Sequence, residues 1–367
     1  MNEDQGIADA NGPDPIASGT GFNDDLKPGS LLLAGHFEIL SFLNAGGFAI
    51  TYLARDTLGR IVVVKECFPN AICRRIVTEV KPRTRRLMAE FRAFLKGFLA
   101  EARNLARIAH PHIVGVHQVF EDNGTAYMVI DHIDGKDLLQ ILESTDSALT
   151  PDEVVLMLIR LLGAVEFIHQ IGILHRDISP DNILIDRSGK PVLIDFGSAS
   201  ENLVADSQIV TARRQVKEGY SPQELYRIGA EQTAASDLYA LAATFYHVIS
   251  GRPPPAGPKR LAALVEGEQD PCLPLAGRFR GYPPEFLEAL DAALRVLPKD
   301  RPQSASDWIE RLHVGLDPAS GQASGSQVGS SPTTRALAHG PRPIHLLFLA
   351  VVAVALGVVA AILFPVG

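Results

Sequence analysis

Asn182 and Asp195 are two oxygen-bearing side chains whose spacing could hold a metal ion. Asn182 precedes the short apolar run 183–186, and Asp195 follows the apolar run 191–194. Turn-forming residues separate the two runs, which predicts a strand, a turn and a second strand. If residue 183 pairs with 194, Asn182 lies opposite Asp195 with the side chains roughly 5 Å apart. An amide oxygen and a carboxylate are hard ligands. Two such protein ligands suit a magnesium ion whose remaining coordination positions are filled by water and substrate phosphates.

Asp177 lies five residues before Asn182, in the loop that leads into the first of these strands. A carboxylate at this place can accept a proton from an incoming hydroxyl group, which is the task of a general base. One short stretch of sequence therefore combines a predicted base with predicted ligands for a cation that binds phosphates.

Residues 175–182 and the triplet Asp195-Phe196-Gly197 resemble the catalytic loop and the metal-binding loop of the protein kinase family. The resemblance continues in the family's order along the chain. Four further stretches are similar to the glycine-rich loop, the strand with the phosphate-binding lysine, the end of the activation segment and the last kinase motif, namely 43–51, 62–65, 219–224 and 299–302. The whole resembles the Ser/Thr protein kinases of bacteria.

This resemblance implies ATP- and magnesium-dependent phosphoryl transfer to Ser and Thr hydroxyls of proteins, with autophosphorylation, in bacterial signalling. Asp177, Lys65 and Asn182 would be the catalytic residues, and Asn182 with Asp195 would hold the magnesium. The residues expected to contact ATP are Leu43, Asn44, Gly46, Gly47, Phe48, Lys65, Glu101, Asp131, Ile133, Asn182 and Asp195.

The fold that the resemblance implies is α+β and bilobal. A small antiparallel sheet with one helix would extend to about residue 133, and a mainly helical lobe would follow. Adenine would hydrogen-bond the backbone of Asp131 and Ile133, with Ile130 lining the rear of its pocket. In the helical lobe, Arg301 of the last motif would pair with Glu224.

Lys65 follows four β-branched residues, so it emerges from a buried strand and needs a counter-charge. The stretch from about 87 to 109 has a helical period and offers Glu90 and Glu101. The apolar residues that share a helical face with Glu101 are Phe94, Phe98, Leu105 and Ile108. Glu90 lies nearer the edge of that face, so Glu101 is the predicted partner of Lys65.

Several residues depart from the family's pattern. Asn44 and Ala49 stand where kinases usually have glycine, and Ser179 stands where Ser/Thr kinases commonly have a lysine near the transferring phosphoryl group. Lys217 replaces a residue that in many of these kinases is threonine and contacts the catalytic aspartate. The alternative function is therefore a catalytically weak or silent pseudokinase acting as a membrane-tethered scaffold. A phosphotransferase for small molecules is a second alternative, opposed by Asp237 and other substrate-docking elements.

Arg176 precedes Asp177 and in many kinases receives a phosphate that orders the activation segment. The candidate acceptors here are Ser198, Ser200, Ser207 and Thr211. A basic insertion, with six Arg and Lys residues among positions 74–86, is a second candidate for regulation. It is predicted to be a solvated loop, with contact to anionic lipid as the alternative.

Composition limits the class of partner. The net charge of −8 argues against nucleic acid as the main partner, and three cysteines, few and odd in number, suit a reducing compartment. The expected partners are protein substrates, the membrane and, for activation, a second copy of the chain. The predicted catalytic domain covers 31–315, between an acidic disordered segment, 1–30, and a flexible linker, 316–343.

Residues 344–364 predict one transmembrane helix. They carry no Asp, Glu, Lys or Arg, and their length suits the roughly 30 Å apolar core of a bilayer. Arg335 and Arg342 precede the span, which by the positive-inside rule places the catalytic domain in the cytoplasm, at the inner membrane. Residues 365–367 would then form an extracytoplasmic tail.

Overall fold

The computed structural model describes residues 24–144, 149–196, 216–227 and 230–314. Two compact units make up this part of the chain, residues 24–95 with 120–129 and residues 96–119 with those from 130 onward. Gly197, the four candidate phosphate acceptors, the linker and the predicted membrane span lie outside the described residues. None of the helices that are described is long and apolar enough to cross a bilayer.

The first unit is built mainly of strands. Strands β1 to β8 span Leu31–Leu32, Phe37–Ala45, Ala49–Asp56, Ile61–Cys67, Cys73–Ile76, Glu79–Pro82, Val116–Asp122 and Thr125–Asp131. Six of them form one sheet in the order β1-β2-β3-β4-β8-β7, and neighbours from β1 to β4 run antiparallel. Along β3, Ile50, Tyr52 and Ala54 are buried and alternate with half-buried residues, as expected for a strand with one face on the core.

Helix α1, Met88–Leu105, confirms the predicted helical stretch. Its buried apolar residues recur at helical spacing, namely Phe91, Phe94, Phe98, Ala102 and Leu105. Glu101 lies among them and is only 7 % exposed, whereas Glu90 is half-buried. The amphipathic face therefore forms where the periodicity predicts it.

The second unit is mainly helical. Helices α2 to α7 span Leu138–Glu143, Pro151–Gln170, Ala234–Ser250, Gly257–Glu266, Pro284–Ala293 and Ala305–Val314. A small sheet accompanies them, with strands β9 to β11 at Gly135–Asp137, Ile183–Asp186 and Pro191–Leu193 in the order β11-β10-β9. Helix α3 begins with a capping box between Thr150 and Glu153, and half of its residues are buried.

The hairpin of β10 and β11 confirms the predicted strands, but the predicted register is wrong by one residue. Ile183 pairs with Leu193, so Asn182 lies opposite Ile194 and not opposite Asp195. The reason is the turn, in which Asp186 accepts hydrogen bonds from the N–H groups of Ser188 and Lys190. Gly189 takes a φ of 77°, so the loop closes with three residues, and the sequence had suggested four.

Residues 24–30 correct the expectation of a disordered start up to residue 30. Leu26 is 2 % exposed, and its N–H donates to the hydroxyl of Tyr52 at 3.1 Å. The backbone of Gly29 and Ser30 is hydrogen-bonded to Ile39 on β2. Leu26 is a single apolar residue among polar neighbours and gives no periodic pattern. The sequence therefore did not reveal its contact with Tyr52. Residues 1–23 lie outside the described residues.

A buried charge cluster joins the basic insertion to the sheet. Arg75, on the hairpin of β5 and β6, forms an ion pair with Glu66 on β4, and both side chains are almost fully buried. The carboxylate of Glu66 also accepts hydrogen bonds from the hydroxyls of Tyr52 at 2.9 Å and Tyr127 at 2.8 Å. The insertion is therefore a packed hairpin, and at Arg75 the expectation of a solvated loop is wrong. This arginine is not available to bind lipid.

Removal of Arg75 tests this cluster. Arg75→Met leaves the Glu66 carboxylate buried without its cation, so we expect the free energy of unfolding to fall by about 3–5 kcal/mol. Arg74→Met makes the same chemical change on an exposed neighbour, and there we expect a change within about 0.5 kcal/mol. Thermal and urea unfolding of the two variants would measure this difference, and equal stability would contradict the role given to Arg75.

Candidate active site

Asp237, on helix α4, holds the loop that carries Asp177. Its buried carboxylate accepts the backbone N–H groups of His175 at 2.8 Å and Arg176 at 2.7 Å, and Nε2 of His169 donates to it at 2.8 Å. Burial alone would raise the pKa of Asp237, but the hydrogen bond from His169 and the other donors hold that pKa below its usual value. Arg176 has a φ of 67°, a strained angle that these bonds hold in place.

His175 connects this loop to the stretch before Asp195. Its Nδ1 accepts the N–H of Asp177 at 3.3 Å, so Nε2 carries the proton and donates to the carbonyl of Ile194 at 3.2 Å. The ring also lies against Phe196, with 4.4 Å between the ring centroids. Burial lowers the pKa of His175, which favours the neutral ring that these two hydrogen bonds require.

Asn182 orients Asp177. Its amide nitrogen donates to the backbone carbonyl of Asp177 at 2.8 Å and to the Oδ2 atom of the same residue at 2.9 Å. Because the nitrogen of the amide is turned toward Asp177, the amide oxygen is turned away from it. That oxygen is the atom that a magnesium ion would bind.

Asp177 has the properties of a general base. Burial raises the pKa of Asp177 to about 6, the cation of Lys217 opposes this rise, and the carboxylate of Asp195 adds to it. A base is most effective when its pKa lies near the working pH. The rise also reflects a local excess of negative charge, which a magnesium ion would offset.

Asp195 lies at the end of the hairpin but does not continue it. Its φ of 60° turns the chain away directly after Ile194, whose N–H donates to the carbonyl of Asn182 at 3.0 Å. Asp195 is close enough to Asp177 to influence its pKa. Asn182 and Asp195 thus both approach Asp177, although the direct pairing that the sequence predicts is absent. The donor set, one amide oxygen and one carboxylate, fits magnesium.

Lys217 joins this group, and its contact with Asp177 is the one that the family resemblance implies for this position. Its Nζ lies 3.2 Å from Oδ2 of Asp177, 2.9 Å from Oδ2 of Asp181 and 2.7 Å from Oγ of Ser179. The sequence marks Ser179 and Lys217 as two separate departures from the family's pattern. The available signal was that position 179 loses the family's lysine and position 217 gains one. Only the fold shows that these two side chains touch.

Glu224 and Arg301 form the predicted ion pair. The guanidinium binds both carboxylate oxygens, at 2.7 and 3.1 Å, and Arg301 also donates to the carbonyl oxygens of Arg295 and Val296. Both side chains are buried. Ser236, next to Asp237 on α4, donates to Glu224 at 2.9 Å. The pair therefore fastens the stretch after Lys217 to the start of α4.

The predicted phosphate loop of the first unit is the turn from β2 to β3. The N–H of Gly46 donates to the carbonyl of Ala49 at 2.8 Å, and the N–H of Asn70 donates to that of Gly47 at 3.2 Å. A Cβ placed on Gly47 would meet no protein atom within 4 Å. The space beside this backbone is open to a ligand, as a phosphate would require. Phe48 stacks on Phe94 with 5.5 Å between the rings.

The other residues predicted to contact ATP lie in both units. Leu43 and Asn44 are on β2, and Lys65 is on β4, where it is buried at 9 % exposure. The pairing of Lys65 with Glu101 stays a prediction. In the second unit, the N–H of Asp131 donates to the carbonyl of Gly115 at 3.0 Å, so a backbone contact from Asp131 to adenine would use its carbonyl oxygen.

Comparison with known proteins identifies the family. The protein kinase domain matches residues 37–306. This chain belongs to the protein kinase family. A probable serine/threonine-protein kinase of Streptomyces coelicolor is 31 % identical over 322 residues, which cover 84 % of this chain and 43 % of the relative. The serine/threonine-protein kinase PknB of Mycobacterium leprae is 29 % identical, over 78 % of this chain and 44 % of PknB. The chain thus spans less than half the length of these curated relatives.

Solved structures agree with this family and with its fold. The apo form of PpkA-294 is 37 % identical and has a TM-score of 0.67, and the match covers 79 % of this chain and all of that one. Rad53 1-466, solved in complex with AMP-PNP, has a TM-score of 0.52 over 76 % of this chain and 65 % of that chain. At 21 % identity it shows the fold alone. The protein kinase fold, with its antiparallel sheet and its helical part, is confirmed.

Asp237→Asn tests how the catalytic loop is held. The amide has the size of the carboxylate but no charge. It also brings an NH₂ donor to His169 and the backbone N–H groups of the loop, which are themselves donors, so we expect the loop to shift. A misplacement near 1 Å can lower a reaction rate by about 100-fold. We expect a lower melting temperature and phosphorylation at least about 100-fold slower than wild type, measured well below the melting temperature of the variant.

The matched control is Asp152→Asn, because Asp152 is exposed in the first turn of α3. It should leave the phosphorylation rate unchanged. Unchanged phosphorylation by Asp237→Asn would contradict the role of Asp237 in holding the loop.

Proposed function

We propose that this kinase transfers the γ-phosphoryl group of ATP to Ser and Thr hydroxyls of protein substrates, itself included, in bacterial signalling. The observation that carries the proposal is the setting of Asp177, a carboxylate with a pKa raised to about 6 that Asn182 orients in a loop fixed by Asp237. The Ser/Thr kinases among its relatives support the choice of acceptor.

In the proposed reaction, Asp177 accepts the proton of the substrate hydroxyl as that oxygen bonds to the γ-phosphorus. ATP with magnesium would supply the phosphoryl group as the bond to the leaving ADP oxygen breaks, and the bound metal would offset part of the negative charge. Asn182 holds the Asp177 carboxylate in the orientation that receives the proton, and its own amide oxygen would bind the metal together with Asp195. Because Asp177 is largely buried, water competes poorly for it.

The contacts expected for the nucleotide follow the family resemblance. Lys65 would bind the α- and β-phosphates with Glu101 as its charge partner, and the loop around Gly46, which is open beside Gly47, would receive the phosphates. Asp131 would meet adenine. These assignments come from the family resemblance.

A silent scaffold is the second candidate. It is favoured by Asn44 and Ala49, because a loop that lacks two of the usual glycines approaches phosphates less closely. The ordered set of Asp177, Asn182 and Lys217 favours the enzyme, since a scaffold has no need of an oriented base.

Phosphate incorporation from labelled ATP and magnesium decides between the two. We expect the purified protein, residues 1–335, to label itself or a generic Ser/Thr substrate. Asp177→Asn should lower the rate by at least about 100-fold because the general base is lost. Asp186→Asn changes a carboxylate in the hairpin turn nearby and should retain most of the activity. ATP binding without any labelling by the wild type would favour the scaffold.

We further propose that residues 344–364 anchor the kinase in the inner membrane, with the catalytic part in the cytoplasm and a second copy as its activating partner. The apolar run and the preceding arginines support this placement. The anchor would raise the local concentration of the kinase at the membrane, where two copies meet more often.

Membrane fractionation tests the anchor. The full chain should sediment with membranes and leave them only in detergent, whereas residues 1–335 should stay soluble. Val354→Arg with Leu356→Arg keeps the length of the segment but adds about 2.5–3.5 kcal/mol per arginine to insertion, so this variant should lose much of its membrane fraction. Release of the full chain by high salt alone would point to peripheral, electrostatic binding and would contradict the proposal.

A further inference from the structure

The ammonium group of Lys217 lies directly at the side chain of Ser179. Its Nζ donates to Oγ of Ser179 at 2.7 Å, and the Ser179 hydroxyl in turn donates to Oδ1 of Asp181 at 2.6 Å. The same Nζ lies 2.9 Å from Oδ2 of Asp181 and 3.2 Å from Oδ2 of Asp177. The cation is thus held in one place by two carboxylates and a hydroxyl.

Position 179 is the place where Ser/Thr kinases commonly carry a lysine beside the transferring phosphoryl group, and here that lysine is missing. We propose that Lys217 supplies this positive charge from the end of the activation segment. The inference rests on the proposed function. It adds to the proposed function by assigning the catalytic cation to Lys217, which lies 38 positions along the chain from Ser179.

The backbone around Lys217 is built to keep the side chain in place. The carbonyl of Lys217 accepts the N–H groups of Tyr220 and Ser221, at 3.0 and 2.9 Å, and its own N–H donates to Oγ of Ser221 at 3.0 Å. Gly219 has a φ of 86°, and a Cβ there would come within 2.9 Å of Pro253. The hydroxyl of Tyr220 is 2.6 Å from Nδ1 of His247 on α4.

Exposure and charge agree with a catalytic role. The side chain of Lys217 is 23 % exposed, so it is mostly covered but still reaches solvent. During transfer, the substrate oxygen bonds to the γ-phosphorus, its proton passes to Asp177, and the bond to the ADP oxygen breaks. Negative charge spreads over the oxygens of the phosphoryl group at that moment. A cation fixed 3.2 Å from Asp177 lies where this charge develops.

The opposite reading is that Lys217 blocks Asp177 and keeps the enzyme inactive. Lys217→Met separates the two, because it keeps the apolar stem and removes the charge. If Lys217 assists transfer, kcat should fall by about 10²–10³-fold, the usual loss when one stabilising donor is removed. The KM for ATP should change little. An unchanged or higher kcat would overturn the proposal. Lys259→Met, on an exposed lysine of α5, is the matched control and should behave as wild type.

A second variant returns the charge to the catalytic loop. Ser179→Lys combined with Lys217→Ser frees the space that the Lys217 side chain now fills and places an ammonium group near Asp177 from position 179. We expect this double variant to regain at least tenfold of the kcat lost in Lys217→Met. A purely structural role for Lys217 predicts no such recovery, because the turn at 217–221 gains nothing from a lysine at 179.

Calorimetry gives a readout that does not require turnover. ADP with magnesium and aluminium fluoride mimics the phosphoryl group in transfer, so wild type should bind this mixture more tightly than ADP with magnesium alone. In Lys217→Met, the preference for the mimic over ADP should be at least tenfold smaller than in wild type. Its affinity for ADP should stay within about twofold of the wild-type value. An unchanged difference would overturn the role of Lys217 even if the kinase is active. If wild type neither labels protein nor prefers the mimic, the proposed function itself fails, and this inference with it.

Discussion

The buried carboxylate of Asp237 is the constraint on which the active site depends. A charge at 1 % exposure costs several kcal/mol to bury unless donors surround it, and here His169 and two consecutive backbone N–H groups do so. The same bonds hold Arg176 at a φ of 67°, an angle that costs a non-glycine residue on the order of 1–3 kcal/mol. The strained turn directs the next residue, Asp177, toward Asn182. Helix α4 therefore determines the position of the base without supplying it.

The start of α4 also fixes a second part of the site. Ser236, next to Asp237, donates to Glu224, and Glu224 is bound by Arg301 from the far end of the unit. The catalytic loop and the stretch that carries Lys217 are thus both attached to consecutive residues of one helix. Both attachments are buried and each ends on a carboxylate, so a displacement of either would leave buried polar groups without their partners, and this is why the two stretches keep their relative position.

The sequence predicts the elements better than it predicts their contacts. The apolar face of α1 follows from periodicity, and the β10–β11 hairpin follows from two apolar runs separated by turn-forming residues. The pair of Glu224 with Arg301 follows from the family resemblance. The register was missed because turn geometry depends on which backbone groups Asp186 binds, and composition does not fix that. The contact of Lys217 with Ser179 was missed because it joins distant parts of the chain through the fold.

The position of Lys217, if it supplies the catalytic charge as proposed, bears on how the kinase is controlled. A lysine at position 179 would belong to the catalytic loop and would stay beside Asp177 wherever the activation segment lies. A lysine at 217 is beside Asp177 only while the turn of Tyr220 and Ser221 is docked on α4. Under the proposed role of Lys217, the charge near the phosphoryl group would then depend on the docking of the segment. In this kinase, docking of the turn would therefore bring the proposed catalytic cation to Asp177.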